Sequence, residues 1–173
     1  MNESTGRIVV GVDGSAGGHA ALRHALAEAG RRRAVAEVVT AYTDPDMRAG
    51  VLGGVPIGAP GAFPQVLRGL LRDHTAAVVE EVLAQLPGPR PPVTVRVAEG
   101  SAADVLLDGA AGADLLVVGT HRHGRLAGLL LGSVGRRCVL HAPCPVTVVH
   151  APQPRSATRH VRPRVGGGAV GGR

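Results

Sequence analysis

The sequence predicts an α/β fold, a doubly wound five-stranded parallel sheet between two layers of helices. Three observations predict it. Five short apolar runs are separated by stretches in which apolar residues recur at helical spacing. One run, Leu115 to Val118, holds no polar residue, which suits a strand covered on both faces. The first and fourth runs pass at their carboxyl ends into Asp13-Gly14-Ser15 and into Gly119, the corner where open α/β sheets bind ligands.

Arg7 to Val12 is β-branched and reads as the first buried strand. Ser15 is placed as the N-cap of a helix whose stripe is Ala21, Leu22, Ala25, Leu26 and Ala29, with Gly30 as its C′ residue. Arg31 to Arg33 link it to a second strand, Ala36 to Tyr42. Residues 44–64 collect Asp, Gly and Pro without periodicity and read as a mobile loop, a lid being the other reading. From Gln65 to Leu86 an amphipathic helix presents Val66, Leu70, Leu71, Val78, Val79, Val82, Leu83 and Leu86, and Pro87-Gly88-Pro89 ends it.

Val93 to Ala98 alternates apolar and polar residues, as a strand near an edge does. Ser101 caps a helix over Ala102 to Ala111, with Asp104 in its first turn. After the Leu115 strand, Gly132-Ser133 opens a last helix carrying Arg136, Arg137 and Leu140, which Pro143-Cys144-Pro145 stops. Val146 to Val149 makes the closing strand, an edge open to pairing with a second copy, so a homodimer is expected.

Composition narrows the function. One Phe, one Tyr and no Trp leave a core of Val, Leu and Ala with little aromatic surface for stacking bases. The net charge of +6 points toward nucleic acid, but its distribution does not. Five of the nineteen basic residues, all Arg, lie beyond His150, where there is no Asp or Glu, so residues 1–150 are nearly neutral. Residues 1–150 are expected to form one folded domain, and residues 151–173 an Arg- and Gly-rich disordered tail, the only part suited to a polyanion. Cys138 and Cys144 form no CxxC pair and read as buried thiols. No apolar segment approaches a membrane span and no signal-peptide core precedes the first strand, so the expected location is the cytoplasm.

Two corners carry the candidate chemistry. Asp13 closes the first strand, where a carboxylate accepts from a ribose hydroxyl or an adenine amino group or helps hold a divalent cation; its other reading is an Asx-turn residue. In Gly132-Ser133-Val134-Gly135, Ser133 reads as an N-cap, while the glycines let a ligand approach main-chain N–H groups at the positive end of a helix. A plain capped helix is the alternative. The dipole contributes only about 0.3 to 2 kcal/mol, whereas micromolar affinity needs roughly 8 kcal/mol, so other groups must hold most of any ligand. The spacing Gly11-x2-Gly14-x2-Gly17 is not the dinucleotide fingerprint, and a chain without Lys has no standard P-loop.

Ile8 to Ser15, Asp114 to Thr120, Leu131 to Val134 and Ala142 to Val149 together resemble the universal stress protein family, in the adenine-nucleotide α-hydrolase-like group. The resemblance covers Arg7 to His150 and implies a Rossmann-like sheet of order 3-2-1-4-5, dimerisation through Val146–Val149, and an ATP site marked by Gly-x2-Gly-x9-Gly-[Ser/Thr]. Carried over, it makes Asp13 the acid at the adenosine and Mg2+ end, beside Gly11 and Val12, with Ala41 on the adenine side. Val118 and Gly119 would contact adenosine, and Gly132, Ser133, Val134 and Gly135 would form the phosphate turn. Arg122 stands where the motif has its second glycine, and Gly124 follows it; the guanidinium either narrows the pocket or pairs with phosphate.

His121 and His123 read as exposed loop histidines rather than a metal pair. No nucleophile, base and orienter align, so at most slow ATP hydrolysis is expected. The resemblance thus implies a cytoplasmic ATP-binding stress-response regulator; a nucleotide-free dimeric interaction module is the other reading.

Overall fold

The computed structural model describes residues 6–43, 62–120 and 131–151. Residues 44–61 of the loop expected over 44–64, the segment holding His121, Arg122, His123 and Gly124, and residues 152–173 of the tail expected over 151–173 lie outside the described residues.

The chain runs β1 (Arg7–Gly11), α1 (Ala16–Arg32), β2 (Val35–Tyr42), α2 (Ala62–Gln85), β3 (Val93–Glu99), α3 (Ala102–Gly109), β4 (Leu115–Gly119), α4 (Ser133–His141) and β5 (Val146–Val149). All five strands are parallel, in the order β3-β2-β1-β4-β5, so the direction of winding reverses between β1 and β4. Strand side chains alternate between two cores. Ile8, Val10, Val38 and Val117 pack beneath α1 and α2. Val9, Val39, Leu116 and Val118 pack beneath α3 and α4. The central strands β1 and β4 are buried along nearly their whole length, whereas β3, with its polar alternation, is an edge.

Four local expectations are corrected. Gly30 does not end α1, which runs on to Arg32 and closes on Arg33 in the left-handed conformation (φ 55°). Gly30 is instead a contact glycine, because a Cβ there would collide with the carbonyl oxygen of Pro89. The second helix starts at Ala62 rather than Gln65; Pro64 falls within its first turn, where a missing N–H breaks no helical bond.

The apolar face expected of that helix is only partly buried. Val79, Val82 and Leu83 are in the core, but Val66 and Leu70 are 61% and 64% exposed. The buried Thr75 marks the face of the helix turned to the sheet, hydrogen-bonding to Thr40 at 3.0 Å. Leu70 and Val66 lie about 140° and 180° around the helix from Thr75, on the face turned away from the sheet. Finally, Ser133 is not an N-cap, and that difference shapes the site.

Candidate functional site

A cavity of about 270 Å³ sits at the carboxyl edge of the sheet, at the winding reversal. The ends of β1, β2 and β4 supply its floor through Gly11, Val39, Ala41, Val118 and Gly119. Its rim is made by Asp13 and by the opening turns of α1, α3 and α4. Ten predicted residues therefore meet at one place: Gly11, Val12, Asp13, Ala41, Val118 and Gly119 from one side, and Gly132, Ser133, Val134 and Gly135 from the other. Arg122 and Gly124 lie outside the described residues.

Five lining residues were missed: Ser15, Gly18, Val39, Ala102 and Leu106. Val39 was findable, two residues before Ala41 and hence on the same face of β2. Leu106 was not, because its role depends on α3 lying across β1. A Cβ at Gly11 would stand 2.8 Å from Leu106 Cδ1, so this glycine lets the leucine close the floor.

The three helix starts around the cavity differ in how their N–H groups are satisfied. Ser15 Oγ accepts from Gly18 N–H at 3.0 Å, capping α1. Ser101 Oγ accepts from Asp104 N–H at 3.3 Å, capping α3. The N-cap of α4 is Gly132 (ψ 166°), which offers no side chain, and Ser133 is already helical. The extended conformation that aims a capping oxygen back at the helix occurs one residue before the serine. The first intrahelical bond is from Arg136 N–H to Gly132 C=O, 2.9 Å. The N–H groups of Ser133, Val134 and Gly135 precede it and have no carbonyl within the helix, and the three residues line the cavity.

The opposite wall carries another main-chain pair. In a parallel ladder successive residues bond alternately to the two neighbours. Val39 faces β1, accepting from Val12 N–H at 3.0 Å, and Tyr42 faces β3, accepting from Gly100 N–H at 2.8 Å. Ala41 therefore points its N–H and C=O toward β1, but β1 pairing stops at Gly11 with Val39. Ala41 lines the cavity just beyond the point where that pairing ends.

Asp13 is exposed at the rim, and one of its carboxylate oxygens accepts from Ser15 N–H at 3.0 Å, so the Asx-turn geometry is present. Among the described residues it is the only charged one of the lining. Among the described residues no group of three or more His, Cys, Asp or Glu is placed to hold a metal ion. Behind the phosphate-turn candidates, burial pushes the Cys138 thiol up from its ordinary pKa, the Arg137 guanidinium opposing it. Burial also raises Cys144, opposed by a backbone hydrogen bond from Leu116.

The sequence and the fold are matched by known proteins. The model of the universal stress protein family matches residues 5–150. The chain belongs to that family. It is 32% identical over 154 residues to a universal stress protein of Mycobacterium tuberculosis, a match covering 86% of this chain and 48% of that one. The chain spans about half the length of the curated relatives it matches. Among solved structures it is similar to a universal stress protein in complex with cAMP, with TM-score 0.59 and 25% identity over 86% of this chain and 98% of that one. A universal stress protein family member of Arabidopsis thaliana with AMP bound has the same fold, with TM-score 0.53 and 17% identity over 85% and 92% of the two chains. The strand order 3-2-1-4-5 expected from the family resemblance is the order found. Among the described residues no helix is long and apolar enough to cross a membrane.

Proposed function

We propose that this universal stress protein binds an adenine nucleotide, ATP with Mg2+, at the carboxyl edge of the sheet, and that nucleotide occupancy sets its activity as a cytoplasmic stress-response regulator. The observation that carries this reading is the start of α4, which has no side-chain cap and whose first residues, Ser133, Val134 and Gly135, line the same cavity as Asp13. Main-chain N–H donors at such a helix start suit phosphate oxygens, and the positive helix end adds to them.

The residues fit the rest of the nucleotide. Val39, Leu106 and Val118 offer apolar walls to a purine. Ala41 presents an N–H and a C=O side by side, the complement of an adenine edge bearing a ring acceptor and an amino donor. Asp13 lies where it would take a ribose hydroxyl or share a cation with phosphate oxygens; Mg2+ usually keeps several waters and needs few protein carboxylates. The bound cation would neutralise phosphate charge. The cAMP complex of a similar universal stress protein supports the adenine nucleotide class.

Calorimetric titration with ATP and Mg2+ tests the reading. Binding is expected for the parent protein and is expected to weaken at least tenfold in Asp13→Ala and in Gly132→Val. A parent protein that binds no ATP and releases no nucleotide on denaturation overturns it.

The active unit in this reading is a homodimer formed through Val146–Val149. β5 is the sheet edge, and the neighbouring α4 leaves Val139 and Leu140 47% and 63% exposed. An unpaired strand beside apolar helix surface suits a second copy.

A further inference from the structure

A second cavity, of about 370 Å³, lies between α1 and α2, on the opposite face of the sheet from the first. α2 lines it with Leu71, His74, Thr75 and Val78, spaced three and four apart and therefore on one stripe of the helix. α1 adds His19 and Leu22, and β2 adds Thr40. Among the described residues the two cavities share only Val12, Asp13 and Ala41, at the carboxyl edge of the sheet. The polar side chains of the second cavity are unevenly placed. Asp13, His19 and His74 are exposed, whereas Thr40 is half-buried and Thr75 only 4% exposed. The two threonine hydroxyls are 3.0 Å apart, and Thr75 Oγ1 donates to Leu71 C=O at 2.7 Å. A hydroxyl has one proton, so Thr40 is the donor to Thr75. Neither hydroxyl then has a proton left to offer, and the pair can only accept.

We propose that this second cavity binds a small uncharged molecule with an apolar body and one hydrogen-bond donor, the class to which indole belongs. Leu22, Leu71 and Val78 suit the apolar body, in a space at the small end of the range for ligand cavities. The threonine pair sets the polarity. An acceptor brought against it would leave oxygens facing one another without a proton between them, whereas a donor completes the pair. Charge is disfavoured because Thr75 is buried, and moving an ion from water to such a place costs more than one hydrogen bond returns. This site is independent of the nucleotide reading.

Indole and benzofuran, nearly identical in shape but with a ring N–H in one and a ring oxygen in the other, are the probes. In titrations of the full chain followed by two-dimensional NMR, indole is expected to bind with a Kd below about 1 mM. It should move the amide signals of Leu71, Thr75 and Val78 more than those of Leu106 and Val118, which line only the first cavity. Benzofuran is expected to bind more weakly by at least about threefold, the loss of one hydrogen bond. Leu71→Trp, at a half-buried position, fills the cavity from its side and should abolish the indole shifts in a protein that still melts cooperatively. Indole shifts centred on Leu106 and Val118, a Kd above about 1 mM, or benzofuran binding within about threefold of indole overturns the assignment. So does a folded Leu71→Trp variant that binds indole as the parent does. Should that variant fail to fold, the map of shifts in the parent decides by itself.

Discussion

Gly17 and Gly119 meet backbone to backbone: a Cβ added to either would overlap main-chain atoms, those of Thr120 for the first and those of Gly17 and Gly18 for the second. This contact seats the first turn of α1 on the end of β4 and so brings Asp13 and Gly119 to the same cavity. Gly17→Ala and Gly119→Ala are each expected to lower stability by about 1 to 3 kcal/mol, the cost of overpacking a site whose neighbours are backbone. Gly69, also helical but with open space around its Cβ position, is the control. Gly69→Ala should gain about 0.5 to 1 kcal/mol through helix propensity. Urea unfolding of the three variants checks both signs.

The uncapped turn of α4 offers a substitution that removes a donor without disturbing the helix. Proline is well tolerated at the first helical position, and the extended Gly132 that precedes Ser133 is what proline requires. Ser133→Pro is expected to keep stability within about 1 kcal/mol while weakening ATP by roughly 10-fold, the worth of a hydrogen bond to a charged group. Adenosine binding should not change. Calorimetry with both ligands, beside a melting curve, distinguishes this outcome from misfolding.

Glu37 receives Arg7 Nη1 at 2.5 Å and lies 3.8 Å from Arg96 Nη1, with its side chain only 13% exposed. Arg7 Nη2 also donates to Ala111 C=O at 2.5 Å, so the pair ties β1 and β2 to the end of α3. Glu37→Ala leaves two guanidinium groups facing one another across a half-buried gap. A loss of about 1.5 to 3 kcal/mol is expected in denaturant unfolding, and a smaller one for Glu37→Gln.

The thiols give stability a pH dependence whose sign follows from their burial. Both folded pKa values are raised, so the folded state favours the neutral thiols. This contribution is fully present below the unfolded thiol pKa, about 8.5, and is lost as pH rises from there through the folded values. The parent protein should lose stability between about pH 8 and 10 relative to the Cys138→Ala, Cys144→Ala double variant. In alkylation of the native protein, the partly exposed Cys144 should react before the buried Cys138.

Leu140 is 63% exposed on α4 beside the edge strand. If that surface joins two copies, Leu140→Glu should weaken dimerisation at least tenfold in sedimentation equilibrium. Because the residue is a surface position in one chain, monomer stability should change by no more than about 0.5 kcal/mol.

Much of this was legible along the chain. The unbroken Leu115–Val118 run announced a strand covered on both faces, and the alternation of β3 announced an edge, because period and burial are local consequences of side-chain direction. The glycines beside Asp13 and Val134 likewise pointed to the two corners of the cavity. The last turn of α1 was not legible. Gly30 resembled a terminator because glycine serves helix ends and close contacts equally well, and only the position of Pro89 tells which. Val66 and Leu70 each lie nine residues before a buried residue of the same helix, Thr75 and Val79, which is half a turn out of period, so their exposure was legible in the spacing.

By itself the sequence determined the class of fold, the facing of the strands, and the family to which the chain belongs, since these follow from local periodicity and short motifs. The tertiary structure alone decided that residues some 120 positions apart share one cavity, that Leu106 closes its floor, and that the helix after Gly132 begins without a side-chain cap. The reason is physical. Whether a main-chain N–H or C=O remains for a ligand depends on which strand has ended beside it and which residue takes the extended conformation, and both are settled only when the layers pack.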